Sequence, residues 1–130
     1  MKATVTWQQD LKFECTTESG KSLVLDGNGE GMSPMESVLL SVGACSSVDV
    51  VEIMKKARQP LEHCHCELTA KRAEDAPRVF TDIHAVYVVK GDNISEKHLA
   101  RAVQLSCEKY CSVMLMLNAK VNITTDYRIE

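Results

Sequence analysis

The chain opens with short stretches in which apolar and polar residues alternate. Residues 2–7 alternate well enough for a strand, and in residues 11–17 Leu11, Phe13 and Cys15 fall on one side. Ser19-Gly20 is a turn signal, and Ser22 to Leu25 predicts a third strand, so the first quarter reads as an antiparallel meander. The Gly-rich segment that follows, Asp26 to Pro34, lacks the Gly-Lys-Ser/Thr ending of a phosphate loop. Its glycines are read as turn formers.

At Ser33 the period changes. Ser33 as N-cap, Pro34 at the first helical position and Glu36 as capping-box partner predict a helix that runs to about Arg58, before Gln59-Pro60. From Ser37 to Val51 only Asp49 is charged, and Val38, Leu39, Leu40, Val42, Val48, Val50 and Val51 cover nearly every face. A helix apolar all round is expected to be buried all round. One small sheet covers one side only, so the other side points to a partner subunit.

Residues 61–72 and 78–90 predict two longer strands joined at Glu74-Asp75-Ala76-Pro77, with Ile83, Ala85, Tyr87 and Val89 alternating against Asp82, His84 and Val86. Ser95 caps a second helix whose inner face holds Leu99, Ala102, Val103 and Ser106 or Cys107. A short third helix is expected from Ser112 to Leu117, and residues 120–128 close the chain as a strand. The order β-β-β-α-β-β-α-α-β indicates an α+β fold rather than a doubly wound one.

Composition narrows the function. A chain of 130 residues, 45% hydrophobic and 25% charged, is expected to form a single globular domain over 1–130. A formal net charge of -3 offers no basic excess for nucleic acid. The N-terminus lacks the apolar stretch of a signal peptide, and the sparsely charged run Ser37–Val48 is too short to span a bilayer. The expectation is a cytoplasmic protein with no membrane partner. In that compartment the six cysteines (15, 45, 64, 66, 107 and 111) are not expected to form a disulfide framework.

The cysteines differ in setting. Cys45 lies mid-helix among Gly43, Ala44, Ser46 and Ser47, which let another backbone or a ligand approach; spacing alone reads it as a buried apolar residue at a helix crossing. Asp49, one turn on, disfavours its thiolate. Cys107 and Cys111 stand one helical turn apart, without a second pair to complete a zinc site. If Cys111 starts the third helix, free N–H groups there would stabilise its thiolate, which makes it the better chemical position of the two. His63-Cys64-His65-Cys66 resembles a metal cluster, but strand alternation sends the histidines to one face and the cysteines to the other, leaving at most a two-ligand half-site. Cys15 aligns with Leu11 and Phe13 as core. No Gly-x-Ser-x-Gly, Cys-x-x-Cys or His-Glu-x-x-His motif is present, and neither metal nor cofactor is expected. The residues by themselves lead to an α+β dimer with two candidate thiols.

Ser33-Pro34-Met35-Glu36 followed by Gly43-Ala44-Cys45 resembles the central-helix motif of the OsmC/Ohr family, and Tyr110-Cys111-Ser112-Val113 is similar to its second motif. Element order and length agree across the whole chain. The resemblance implies antiparallel sheets packed around a long central helix, an intertwined homodimer, and thiol-dependent reduction of organic hydroperoxides. It makes Cys45 the attacking thiol and Cys111 the resolving one, with a dithiol as reductant. It matches Glu36 to a helix-start glutamate that pairs with an arginine. The chain departs from the family in having Ser112 where Pro is usual and no arginine before Arg58. That departure, with Asp49 beside Cys45, motivates an alternative: a non-catalytic dimer that holds a small hydrophobic molecule in an interface pocket.

Overall fold

The computed structural model describes residues 1–130. The chain divides into two compact units, Met1–Val38 and Leu39–Glu130.

In the first unit β1 (Ala3–Gln9), β2 (Lys12–Thr17) and β3 (Ser22–Asp26) form the expected antiparallel meander in the order β1-β2-β3. Val5 pairs with Cys15 and Trp7 with Phe13. Gly20 at φ 84 makes the β2–β3 turn without a Cβ penalty. The Asp26 carboxylate accepts the N–H groups of Asn28 (2.8 Å) and Gly31 (3.2 Å), so the Gly-rich segment is a side-chain-braced turn. Cys15 is half-buried rather than core, and Leu11 lies exposed in the turn before β2.

Helix α1 (Pro34–Lys56) starts as its sequence predicts. The Ser33 N–H donates to Glu36 Oε2 at 2.8 Å, and the Glu36 N–H to Ser33 Oγ at 3.1 Å, which is the reciprocal capping box. The helix stops two residues short of Arg58. Arg58 turns left-handed (φ 55), its N–H bonds the Lys55 carbonyl (2.9 Å), and the Gln59 N–H bonds the Met54 carbonyl (3.0 Å). This Schellman closure satisfies the last carbonyls ahead of Pro60.

In the second unit β4 (Leu61–Arg72) and β5 (Phe80–Gly91) form a long antiparallel hairpin, with Cys66 opposite Tyr87 and Leu68 opposite Ala85. The expectation of purely antiparallel sheets fails at β6 (Asn122–Ile129), which runs parallel to β5 with Tyr127 beside Tyr87. The physical reason is the connection. Residues 92–121 hold α2 (Glu96–Leu105), a π-helical turn (Ser106–Tyr110) and α3 (Ser112–Leu117), a crossover long enough to return the chain to the same end of the sheet. The π turn was not anticipated.

α1 buries one stripe, Val42, Ser46, Val50 and Met54, at helical spacing, with Gly43 beside it. A Cβ at Gly43 would stand 2.7 Å from Leu68 Cδ1, so the helix lies close on the sheet there. The opposite face is not covered within the chain: Leu40 is 50% and Val48 59% exposed. The whole 23-residue helix has the length and apolarity of a membrane-crossing helix, which the run Ser37–Val48 alone does not. Its stripe is nonetheless packed as a core element.

Gly91 is where packing leaves no room for a side chain. A Cβ there would overlap the Pro60 carbonyl oxygen and press on Ile94. Gly91→Ala should therefore destabilise the protein by about 2–3 kcal/mol, read as a lower denaturant midpoint at unchanged slope; an unchanged midpoint would contradict this packing.

Candidate active site

Cys45 sits midway along α1, half-buried, directed at the junction where the crossover leaves its π turn and enters α3. The Val113 backbone N–H is near enough to the Cys45 sulfur to favour its thiolate. The Ser112 hydroxyl lies 3.8 Å from it, and the Cys111 side chain is a further neighbour. Cys111 is fully buried and is the N-cap of α3: its backbone is extended and its sulfur accepts the Met114 N–H at 3.4 Å.

These contacts separate the two thiols. The Val113 N–H has the largest effect on Cys45 and holds its thiol below the ordinary value; burial opposes this, and the Cys111 and Ser112 donors add to the lowering. Asp49 acts upward, as its position in the sequence implies, but has the smallest of these effects. Cys111 is pushed up to about 11, first by desolvation, then by the adjacent Cys45 sulfur, with the Met114 N–H opposing in part. Of the two, Cys45 is the thiol whose ionisation is favoured, and Cys111 the one that holds its proton to higher pH. The sequence-based preference for Cys111 as thiolate is corrected. It does start α3, but the N–H groups of that helix turn serve both sulfurs, and the more exposed Cys45 gains more from them.

The remaining expectations divide. Glu36 lies in the first turn of α1, and its carboxylate closes the capping box with Ser33. His63 and His65 face outward on β4 and touch each other (3.3 Å), while Cys64 and Cys66 face inward. Their alternation follows the strand period, and no group of three His, Cys, Asp or Glu side chains is placed to hold a metal. Burial raises Cys64, Cys66 (to about 11) and Cys107. Cys45 is lowered where Cys64, Cys66, Cys107 and Cys111 are raised. Reading residue types could not reveal Val113, because its contribution is a backbone N–H. Ser112 was visible only as a departure from a family pattern.

A lowered Cys45 means that its alkylation by iodoacetamide rises with pH through a midpoint below that of an ordinary thiol. Cys111 should resist until pH approaches 11. Peptide mapping should find Cys45 labelled ahead of Cys107, a half-buried thiol that burial raises; equal labelling midpoints would contradict this assignment.

Comparison with known proteins agrees with the fold and its motifs. The family model described as OsmC-like protein matches residues 27–126. Protein YhfA of Escherichia coli K12 is 46% identical over 99% of this chain and 98% of its own. The crystal structure of a hypothetical protein from Aquifex aeolicus VF5 superposes with a TM-score of 0.91 at 34% identity, covering 99% of this chain and 95% of that one. The organic hydroperoxide resistance protein OhrB of Bacillus subtilis has the same fold, with a TM-score of 0.64 at 15% identity over 98% of both chains. This two-sheet α+β chain with its long capped helix belongs to the OsmC-like family.

Proposed function

We propose that the protein is a cytoplasmic homodimeric thiol peroxidase that reduces organic hydroperoxides, with Cys45 as the attacking thiol and Cys111 as the resolving one. The observation that carries this reading is the unequal pair: a thiol with favoured ionisation beside a buried one that keeps its proton. The Cys45 thiolate attacks the distal peroxide oxygen; the O–O bond breaks, the alkoxide takes up a proton and leaves as the alcohol, and Cys45 becomes a sulfenic acid. Cys111, deprotonated as it attacks, displaces hydroxide, which leaves as water, and an S–S bond forms. An external dithiol reduces that disulfide by thiol exchange. Membership of the OsmC-like family and a fold shared with a named hydroperoxide resistance protein support the reaction class.

Two exposed apolar regions support a second copy. One is the outer face of α1, with Leu40 and Val48; the other is the first sheet, with Val5, Trp7, Leu23 and Val24. Six free cysteines suit a reducing compartment.

Turnover of cumene hydroperoxide with a dithiol should fall more than about 10³-fold in Cys45→Ser, as expected when the nucleophile is removed. Cys111→Ser should still form one sulfenic acid per chain but lose disulfide-linked recycling. Undiminished turnover in Cys45→Ser would overturn the reading, and absent wild-type turnover with a copurified apolar molecule in native mass spectra would favour the binding module. Sedimentation should find a dimer that Val48→Asp disperses; a monomeric wild type would refute that part.

A further inference from the structure

Asp49 and Ser106 are the polar residues behind the thiol pair that the chemistry above does not use. Ser106 is completely buried at the start of the π turn. Its hydroxyl donates to Asp49 Oδ2 at 2.8 Å and lies 3.2 Å from the Ser46 carbonyl, so it joins the crossover to α1 one turn beyond Cys45. Its N–H reaches the Ala102 and Val103 carbonyls and closes α2. Its own carbonyl accepts the Cys111 N–H at 2.8 Å, the i to i+5 bond that defines the π turn. Single π turns cost regular helix geometry and recur at functional sites. Here the turn ends at the residue that caps α3.

We infer that Asp49 and Ser106 are positioning residues: their hydrogen bond anchors the π turn to α1 and thereby holds Cys111, Ser112 and Val113 against the Cys45 sulfur. The inference rests on Cys45 being the working thiol. Asp49 then has two opposed effects on Cys45. Its charge disfavours the thiolate, while its grip on Ser106 keeps the Val113 N–H in place to favour it. This explains why a carboxylate one turn from a nucleophile is compatible with reactivity: its second oxygen is committed to a neutral hydroxyl that organises the donors. The titratable groups that act directly on Cys45 are Asp49 from α1 and Cys111 from the crossover.

The two effects separate by substitution. Asp49→Asn keeps an acceptor for Ser106 and removes the charge. Asp49→Ala removes both. Ser106→Ala keeps the charge and removes the anchor. The readout is the pH profile of Cys45 alkylation by iodoacetamide in the full-length protein, which does not depend on peroxide turnover. Failure here is therefore distinct from failure of the peroxidase reading.

Alkylation of Ser106→Ala at neutral pH should be about tenfold slower than wild type, the scale of one weakened charge-assisted hydrogen bond, with its midpoint moved up. Asp49→Asn should react faster than wild type, with its midpoint moved down, and Asp49→Ala should be slower than Asp49→Asn. Asp49 is half-exposed, so this second pair decides the matter even if Ser106→Ala does not fold. Equal profiles for Asp49→Ala and Asp49→Asn, or a folded Ser106→Ala that matches wild type, would overturn the inference and leave Asp49 a charge alone.

Discussion

The close seating of α1 on its sheet at Gly43 governs much of the second unit. With no Cβ at that position, the helix backbone approaches Leu68 and the sulfur of Cys66. The stripe Val42, Ser46, Val50 and Met54 then lies flush against the sheet and is fully excluded from solvent. Cys45 falls one position off that stripe. It is carried by a long helix with a buried stripe yet left at the edge of the core, where a side chain is both held and reachable. A Cβ at Gly43 would press on the end of the Leu68 side chain, which would have to move to admit it.

Against that fixed sulfur the crossover presents backbone rather than cationic side chains. Thiols in proteins are commonly lowered by a nearby lysine, arginine or histidine, but N–H groups at a helix start serve the same end. The arrangement divides labour between neighbouring residues. Cys111 accepts the N–H of Met114, while that of Val113 acts first on Cys45 and to a lesser degree on Cys111. Capping α3 and tuning the thiol are thus one event. The buried Tyr87 hydroxyl, which has no hydrogen-bond partner, shows that this core does not satisfy every polar group. The Ser46 hydroxyl is committed to the Val42 and Gly43 carbonyls instead.

Features written in local chemistry were legible in the sequence. Ser33, Pro34 and Glu36 announce α1 because capping is a matter of three adjacent residues. The alternation of β5 and the start of α3 at Ser112 are local in the same sense. The C-terminal strand was found, but its direction was not, because a parallel partner is chosen by a crossover whose course depends on packing. The π turn was invisible for a related reason: it is stabilised by a side-chain bond to Asp49, fifty-odd residues earlier in the chain. Asp49 itself was read correctly as a charge that opposes the Cys45 thiolate. What the sequence could not carry was its bond to Ser106, or the fact that the decisive donor to Cys45 is main chain.

Because β6 lies parallel to β5, the order of assembly matters to the chemistry. The β4–β5 hairpin and α1 rest on contacts near in sequence, which form early. Ser112 lies 67 residues beyond Cys45 in the chain, so its meeting with that sulfur, and that of Val113, depends on long-range contacts. Until those contacts form Cys45 is an ordinary thiol, without the donors that favour its ionisation. The lowering of Cys45 is therefore a property of the assembled fold and not of the local sequence around it.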